Sequence, residues 1–427
     1  MQVYKFGGAA IATPQSARSL LPIIQNCNSP LVLVVSALGK TTNALEAIVA
    51  DACAGYKEAA HQKAAALEKA HLEYAAQLLQ DKFLTAAKED LAEHFTELTW
   101  AVDDAEESRY NFWYDQMVSL GELFSTRIFA QLLLQEGLSA VWLDARGLLR
   151  TDDEWRDAQV DWDATLANMQ RQILPLLEKE NIVLTQGFIG ANADNASTTL
   201  GREGSDYSAA LVAAMLGAEN LTIWKDVPGL KNADPREFAD TVLIDKISYR
   251  EVIEMAYYGA QVIHPKTIKP LQNAGIPLYV RCFLAPAQPG TLITAEENLS
   301  PQQSYPPLIT SKKNQVLIQA TTRDFSFITE HNLANIYRVF ASLNYRINLL
   351  QQTATSFVAC VDYREDKLQL LIAALEGEYI LRRNEKAELL TIRHPQDSEA
   401  KKLVAGREIL LQQKTRNSVQ IITRNEA

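Results

Sequence analysis

Apolar residues along the 427-residue chain fall into two kinds of run. Short continuous runs are VYKF (3–6), LVLVV (31–35), AVWLD (140–144), IVLTQ (182–186) and LTIW (221–224). Their length and β-branched content predict strands, and LVLVV reads as one buried on both faces. Between them lie stretches with helical spacing, around Ser16 to Ile24, at 117–136, at 162–179 and at 206–217. Within an Ala-rich, charged segment at 44–115, Leu91, Phe95, Leu98 and Val102 recur at spacings of four, three and four. That stripe predicts two or three antiparallel helices, packed as an insert. Strands alternating with helices predict an α/β domain with a mainly parallel central sheet. Ligands of such sheets sit at the carboxyl ends of the strands. The glycines after VYKF, the serine after LVLVV, QGFIG (186–190) and KDVPG (225–229) all occupy that position.

The pattern changes near 285–310, where LAPAQPGT and SPQQSYPP read as a linker. Beyond it VLIQAT (316–321) predicts a strand, NLANIYRVFASL (332–343) a helix, INLLQQ and SFVACVDY strands, KLQLLIAALE (367–376) a helix and AELLTI (387–392) a strand. The order βαββαβ is the ferredoxin-like plan. EILLQQ and VQIIT follow, too few residues for a second full copy.

Composition narrows the classes of function. A hydrophobic content of 47% allows a large core and argues against disorder. A net charge of -11 argues against nucleic acid or an anionic membrane as the main partner. The four cysteines lie far apart with no CxxC pair, and no HExxH spacing is present, so no protein-held metal site is expected. Scattered thiols, no visible signal peptide and a first apolar run too short to span a bilayer predict a cytoplasmic protein.

Five stretches carry candidate chemistry. In KFGG (5–8) a lysine precedes a glycine pair at a strand end, the reverse of the common phosphate loop. VVSALGKTTNAL (34–45) ends a strand in Ser-Ala and enters a helix, either as an ordinary cap or as an anion-binding turn. Glu122 in SLGELFSTR (119–127) is either a solvated carboxylate or a partner for a ligand ammonium. In TQGFIGANADNASTTLGREGSDYSAAL (185–211), Arg202 suits a carboxylate, and Ser205 or Asp206 suits the cap of the following helix. WKDVPGLKNADPR (224–236) offers short turns suited to adenine and ribose.

Together these stretches resemble the amino-acid kinase family, and within it the aspartate kinases. KFGG, SALGKTTN (36–43), GELFST (121–126), LRTDD (149–153), QGFIG, TTLGREGSD (198–206), DVPGL with DPR (226–236) and GAQVIHPKT (259–267) run in family order over some 260 residues. The resemblance implies a three-layer sandwich around a mainly parallel sheet at 1–295, with 44–115 as a helical insert. It further implies a linker at 296–310 and a ferredoxin-like ACT domain at 311–427, its second unit reduced. The implied reaction transfers the γ-phosphoryl group of ATP to L-aspartate, giving 4-phospho-L-aspartate on the way to lysine, threonine and methionine. Mg²⁺ would be held mainly by the phosphates. Lys5, Gly8 and Asp206 match the catalytic positions. Thr42, Glu122, Phe188, Arg202 and Ser205 match those that hold aspartate. Lys5, Gly7, Gly8, Ser36, Ala37, Lys225, Asp226, Lys231, Asp234, Arg236 and Gln261 match the nucleotide site. A homodimer through the ACT-like domains is implied as well.

The chain departs from the family pattern at several of these positions. GGAA replaces the common GGTS, so Ala9 and Ala10 remove two hydroxyls. Gln261 stands where a lysine is usual, with Lys266, Lys225 and Lys40 as candidate substitutes, and Lys231 replaces a tyrosine. These losses make a catalytically weak amino-acid-binding regulator the competing reading. In lysine-inhibited relatives an acidic residue of the ACT unit meets the lysine ammonium. Asn348 stands at that position and reads as an ordinary edge-strand amide.

Overall fold

The fold was read from a computed structural model, which describes residues 1–179, 182–260, 263–296, 305–324, 326–396 and 402–425. The chain divides into two compact units, each built from separate stretches: 1–230, 243–253 and 263–300 in the first, 231–242, 254–262 and 301–427 in the second.

In the first unit the predicted apolar runs form strands β1 (Gln2–Phe6), β2 (Leu31–Val35), β3 (Ala140–Trp142), β4 (Ile182–Gln186) and β7 (Asn220–Lys225). A small antiparallel pair, β5 (Ile189–Ala191) and β6 (Ser197–Thr199), precedes β7. Strands β8 (Lys246–Ser248), β9 (Leu278–Cys282) and β10 (Thr291–Thr294) complete an eight-stranded sheet in the order β3-β4-β2-β1-β7-β9-β10-β8. Every neighbouring pair in it is parallel except β9 with β10. All five residues of β2 are buried, as expected of a strand covered on both faces.

Register determines where the chemistry lies. Phe6 of β1 pairs with Val35 of β2 and with Trp224 of β7, and Val35 pairs with Gln186 of β4. Four strands therefore end in one row, and the four loops predicted to converge leave the sheet side by side.

The 44–115 stretch forms helices Lys57–Leu78 and Asp81–Asp104, together with most of Thr41–Cys53 and the start of Tyr110–Val118. The stripe Leu91, Phe95, Leu98 and Val102 is buried. Phe95 stacks on Phe124 of the helix Leu120–Gln135, with ring centroids 4.1 Å apart. The stretch predicted as one helix at 162–179 is two, Trp162–Gln172 and Leu174–Lys179. The one helical run long and apolar enough to cross a membrane among the described residues is Glu107–Gln135, and its apolar window is 83% buried inside the fold.

The second unit follows the predicted βαββαβ order: β11 (Leu308–Thr322), helix Glu330–Ser342, β12 (Ile347–Gln352), β13 (Ser356–Asp362), helix Glu365–Leu375 and β14 (Tyr379–Arg393). The last hairpin, β15 (Arg407–Lys414) and β16 (Ser418–Asn425), extends the same sheet in the order β12-β13-β11-β14-β16-β15. β11 begins at Leu308, inside the stretch read as linker, because its first residues pair with the end of β14. Residues 297–304 of that stretch lie outside the described residues.

Asn348 is not the ordinary strand amide expected. It is buried, accepts a hydrogen bond from Lys312 Nζ at 2.9 Å, and donates to Gln315 Oε1 at 2.8 Å and Asp362 Oδ1 at 2.9 Å. Burial pushes the Lys312 ammonium below its ordinary pKa.

Candidate active site

The row of strand ends opens into a cavity of ≈ 570 Å³. Lys5, Gly8, Ser36, Ala37, Thr42 and Glu122 line it, as do Phe188, Arg202, Ser205, Asp206 and Lys225. The first two loops are held against each other by backbone bonds, Ser36 N–H to Phe6 O at 3.1 Å and Gly39 N–H to Gly8 O at 3.2 Å. A Cβ on Gly8 would lie 2.5 Å from the carbonyl oxygen of Ala37, so only glycine permits this approach. In the QGFIG loop a Cβ on Gly187 would lie 2.6 Å from Cβ of Ser205. QGFIG and the start of the helix Gly204–Leu216 are thus in backbone-to-side-chain contact. That helix begins after Glu203, which has no side-chain capping bond, so neither Ser205 nor Asp206 is the cap expected from the sequence. Both lie inside its first turn, and its free N–H groups favour an anion at this end.

Charge in the cavity is arranged in two ways. Asp206 is 4% exposed and lies between two ammonium groups, Lys5 Nζ at 2.6 Å and Lys225 Nζ at 3.7 Å. Burial on its own would raise this carboxyl, but the lysines outweigh it and hold it below the ordinary carboxylate range. Glu122 is 3% exposed and receives only the Ala37 N–H on Oε1, at 3.4 Å, while Oε2 has no hydrogen-bond partner. Burial pushes its pKa up to about 8, against a smaller lowering by the Ala37 N–H. A buried carboxyl with a free oxygen is costly unless a cation arrives to meet it. The bland alternative of a solvated carboxylate is therefore excluded.

Some expected residues stand outside the cavity lining. Gly7 and Asp226 flank it in sequence but do not line it. Lys231, Asp234 and Arg236 belong to the 231–242 segment of the second unit. There Asp234 pairs with Arg236 at 2.6 Å and Lys231 donates to Thr241 Oγ1 at 3.0 Å. Gln261 lies outside the described residues. Of the three lysines named as its substitutes, Lys225 enters the cavity and Lys40 does not. Lys266 is engaged by Asp157 at 2.8 Å and the Leu200 carbonyl at 3.2 Å.

Sequence reading missed Tyr114, Arg156, Thr199 and Glu203, which also line the cavity. The LRTDD motif pointed at the turn that carries Arg156, but not at Arg156 itself.

The sequence profile described as the amino acid kinase family matches residues 1–282. The lysine-sensitive aspartokinase 3 of Escherichia coli (strain K12) is 32% identical over 365 residues, covering 84% of this chain and 78% of its own length. The chloroplastic bifunctional aspartokinase/homoserine dehydrogenase 2 of Arabidopsis thaliana is 33% identical over 296 residues. That match covers 68% of this chain, which spans about a third (32%) of the bifunctional protein. The crystal structure of E. coli aspartokinase III in complex with aspartate and ADP superimposes with a TM-score of 0.81 at 27% identity, covering 99% of this chain and 96% of that one.

Proposed function

The chain belongs to the amino acid kinase family and, within it, to the aspartokinases, and from that premise we infer how its cavity carries out the reaction. The activity is that of an aspartate kinase, transfer of the γ-phosphoryl group of ATP to the side-chain carboxylate of L-aspartate. The reading as a weak amino-acid-binding regulator is not favoured. The lysines and the glutamate that the chemistry needs all line one cavity, in spite of Ala9 and Ala10.

The observation that carries the assignment is the pair of unlike carboxyls. Asp206 is flanked by the ammonium groups of Lys5 and Lys225, while Glu122 has no ion-pair partner among the described residues. Glu122 takes the ammonium of aspartate and Arg202 its α-carboxylate, with Thr42, Phe188 and Ser205 closing around the substrate. The attacking carboxylate has a reference pKa of about 3.9 and is ionised at neutral pH, so no general base is required. The chain must instead hold two anions in line and neutralise the phosphoryl oxygens. Lys5 and Lys225 supply positive charge, and Asp206 orients both. Gly8, Ser36 and Ala37 present backbone groups to the phosphates, with Gly7 completing the turn. Asp226 is assigned to the remainder of the nucleotide, while Lys231, Asp234, Arg236 and Gln261 are carried as nucleotide positions by their match to the family motifs alone. Mg²⁺ would arrive with ATP and would neutralise phosphate charge; Asp206, flanked by two ammonium groups, fits a metal held by phosphates better than one held by the chain.

The second unit is assigned to regulation. Its sheet ends in β12 and β15, and exposed edges of this kind favour pairing of two copies, so the assembly is assigned as a homodimer. Sedimentation of the full chain at a mass near its monomer value of 47.6 kDa would refute that assignment.

The test of the site is ADP release with and without aspartate, alongside calorimetry of Arg202→Ala. Arg202 is exposed in the free protein, so its loss should weaken aspartate binding by about 2 kcal/mol, roughly thirtyfold in Kd. ATP affinity measured without aspartate should change little. Collapse of ATP affinity instead would move Arg202 to the nucleotide site.

A further inference from the structure

Arg156 carries an unusual backbone. Its φ is +72°, a left-handed value that costs a long side chain free energy and persists only where the surroundings enforce it. The enforcing group is Asp115, which is fully buried on the helix Tyr110–Val118. Asp115 Oδ2 accepts the Arg156 N–H at 3.1 Å and the Thr199 N–H at 2.9 Å, and Oδ1 accepts the Thr199 hydroxyl at 2.7 Å. One carboxylate thus fastens two pieces of cavity wall, the 151–158 turn and β6. Other bonds run alongside, Ala158 N–H to Thr199 O at 3.0 Å and Thr151 Oγ1 with Thr198 Oγ1 at 2.7 Å.

The result of this fastening is a guanidinium at the cavity. Arg156 lines it together with Thr199, Gly201 and Arg202. Its guanidinium lies 4.3 Å from the Tyr114 ring centroid and donates to Asn111 Oδ1 at 3.2 Å. It makes no ion pair with a carboxylate among the described residues. The next residue, Asp157, is taken by Lys266 at 2.8 Å and does not neutralise it by direct contact.

We propose that Arg156 is a specificity-determining residue: it shares the α-carboxylate of the acidic amino-acid substrate with Arg202, and Asp115 is the positioning residue that holds it there. This rests on the reading of the cavity as the aspartate site. Two guanidinium groups line the cavity beside two ammonium groups; the guanidinium pair is assigned to the carboxylate to be bound and the lysines to the phosphoryl group that the other carboxylate attacks. Strain stored at Arg156 is then the cost of placing the second guanidinium where a relaxed turn would not.

The strained φ supplies a clean variant. Glycine tolerates +72° without penalty, so Arg156→Gly removes the guanidinium and leaves the turn in place. The Tm should stay the same or rise. The KM for aspartate should rise at least about tenfold, with a smaller change in kcat and an unchanged KM for ATP. The α-amide of aspartate, which keeps the reacting carboxylate but has no α-carboxylate charge, should lose nothing further. The ratio of kcat/KM for aspartate over that amide should therefore fall at least about fivefold. Asp115→Asn should raise the aspartate KM in the same direction, and the double variant should show no additional rise. An unchanged aspartate KM in Arg156→Gly, or an unchanged ratio, overturns the proposal. A shift of the ATP KM equal to that of aspartate in Asp115→Asn overturns its positioning role. Arg202→Ala is run in parallel: if it also leaves aspartate binding intact, the site reading itself fails, whereas loss there alone removes only Arg156.

Discussion

Among single residues, Lys5 and Glu122 bear most of the proposed chemistry, and their electrostatic surroundings are opposite. Lys5→Met removes the ammonium 2.6 Å from Asp206 and the charge proposed to meet the transferring phosphoryl group. It should lower kcat by at least about a hundredfold, the scale of losing one main transition-state contact, and leave the aspartate KM within a few-fold. A kcat near that of the wild type would remove Lys5 from catalysis. Glu122 titrates near 8 in the free protein instead of the ordinary 4.5, so it is protonated at neutral pH. An arriving ammonium favours the ionised form, and aspartate binding at pH 7 should release close to one proton. Calorimetry in two buffers of different ionisation enthalpy measures it, and no release would separate Glu122 from the ammonium. The same shift affects stability. Between pH 4.5 and 8 the native state holds a proton that the unfolded chain has lost, so this group's contribution weakens as pH rises through that window. Glu122→Gln should therefore gain Tm relative to the wild type more at pH 8.5 than at pH 5. Lys5, Glu122 and Arg202 stood out in the sequence because glycine and hydroxyl residues neighbour each of them, whether on a strand, a helix or a turn. Arg156 did not, because its placement depends on a carboxylate 41 positions away in the chain.

At the scale of elements, the first sheet was legible because both-face burial leaves continuous apolar runs such as LVLVV, while β5, β6 and β8, three residues each, leave no periodic signal. In the second unit the order of elements was legible and the length of β11 was not. β11 and β14 are 15 residues each, and their pairing carries register shifts between Lys312 and Leu317. Such irregularities re-aim side chains, and Lys312, Gln315 and Asn348 meet there. The Asn348 oxygen is already bound to a lysine of the chain itself, and its amide protons to Gln315 and Asp362. A free lysine would find no opposite charge on this amide, whose oxygen already meets an ammonium group of the chain. Millimolar lysine should leave the initial rate nearly unchanged. Half-inhibition below about 0.1 mM, roughly 5.5 kcal/mol of binding, would show that lysine binds through other residues.

For the whole molecule, the thiols give a direct check. Cys53, Cys282 and Cys360 are buried and unpaired, and Cys27 is partly accessible. Burial pushes the Cys360 thiol up to about 12 and raises that of Cys53. A thiol reagent should find one group in the native protein and all four after denaturation, and a reductant should leave activity and Tm unchanged. Three fast-reacting thiols would contradict the burial. The chain's division into interleaved stretches has a consequence for synthesis on the ribosome, where domains ordinarily mature in the order in which they emerge. The 231–242 stretch leaves the ribosome well before its partners do. Asn232 O awaits the N–H of Ile309 at 2.7 Å, and its side-chain amide awaits the Pro307 carbonyl at 3.0 Å. The nascent chain therefore leaves these two groups of Asn232 unmet until some seventy further residues have been translated. A premature stop codon near residue 300 would yield a polypeptide lacking those partners, so the gene cannot be shortened there without leaving a loose end inside what remains.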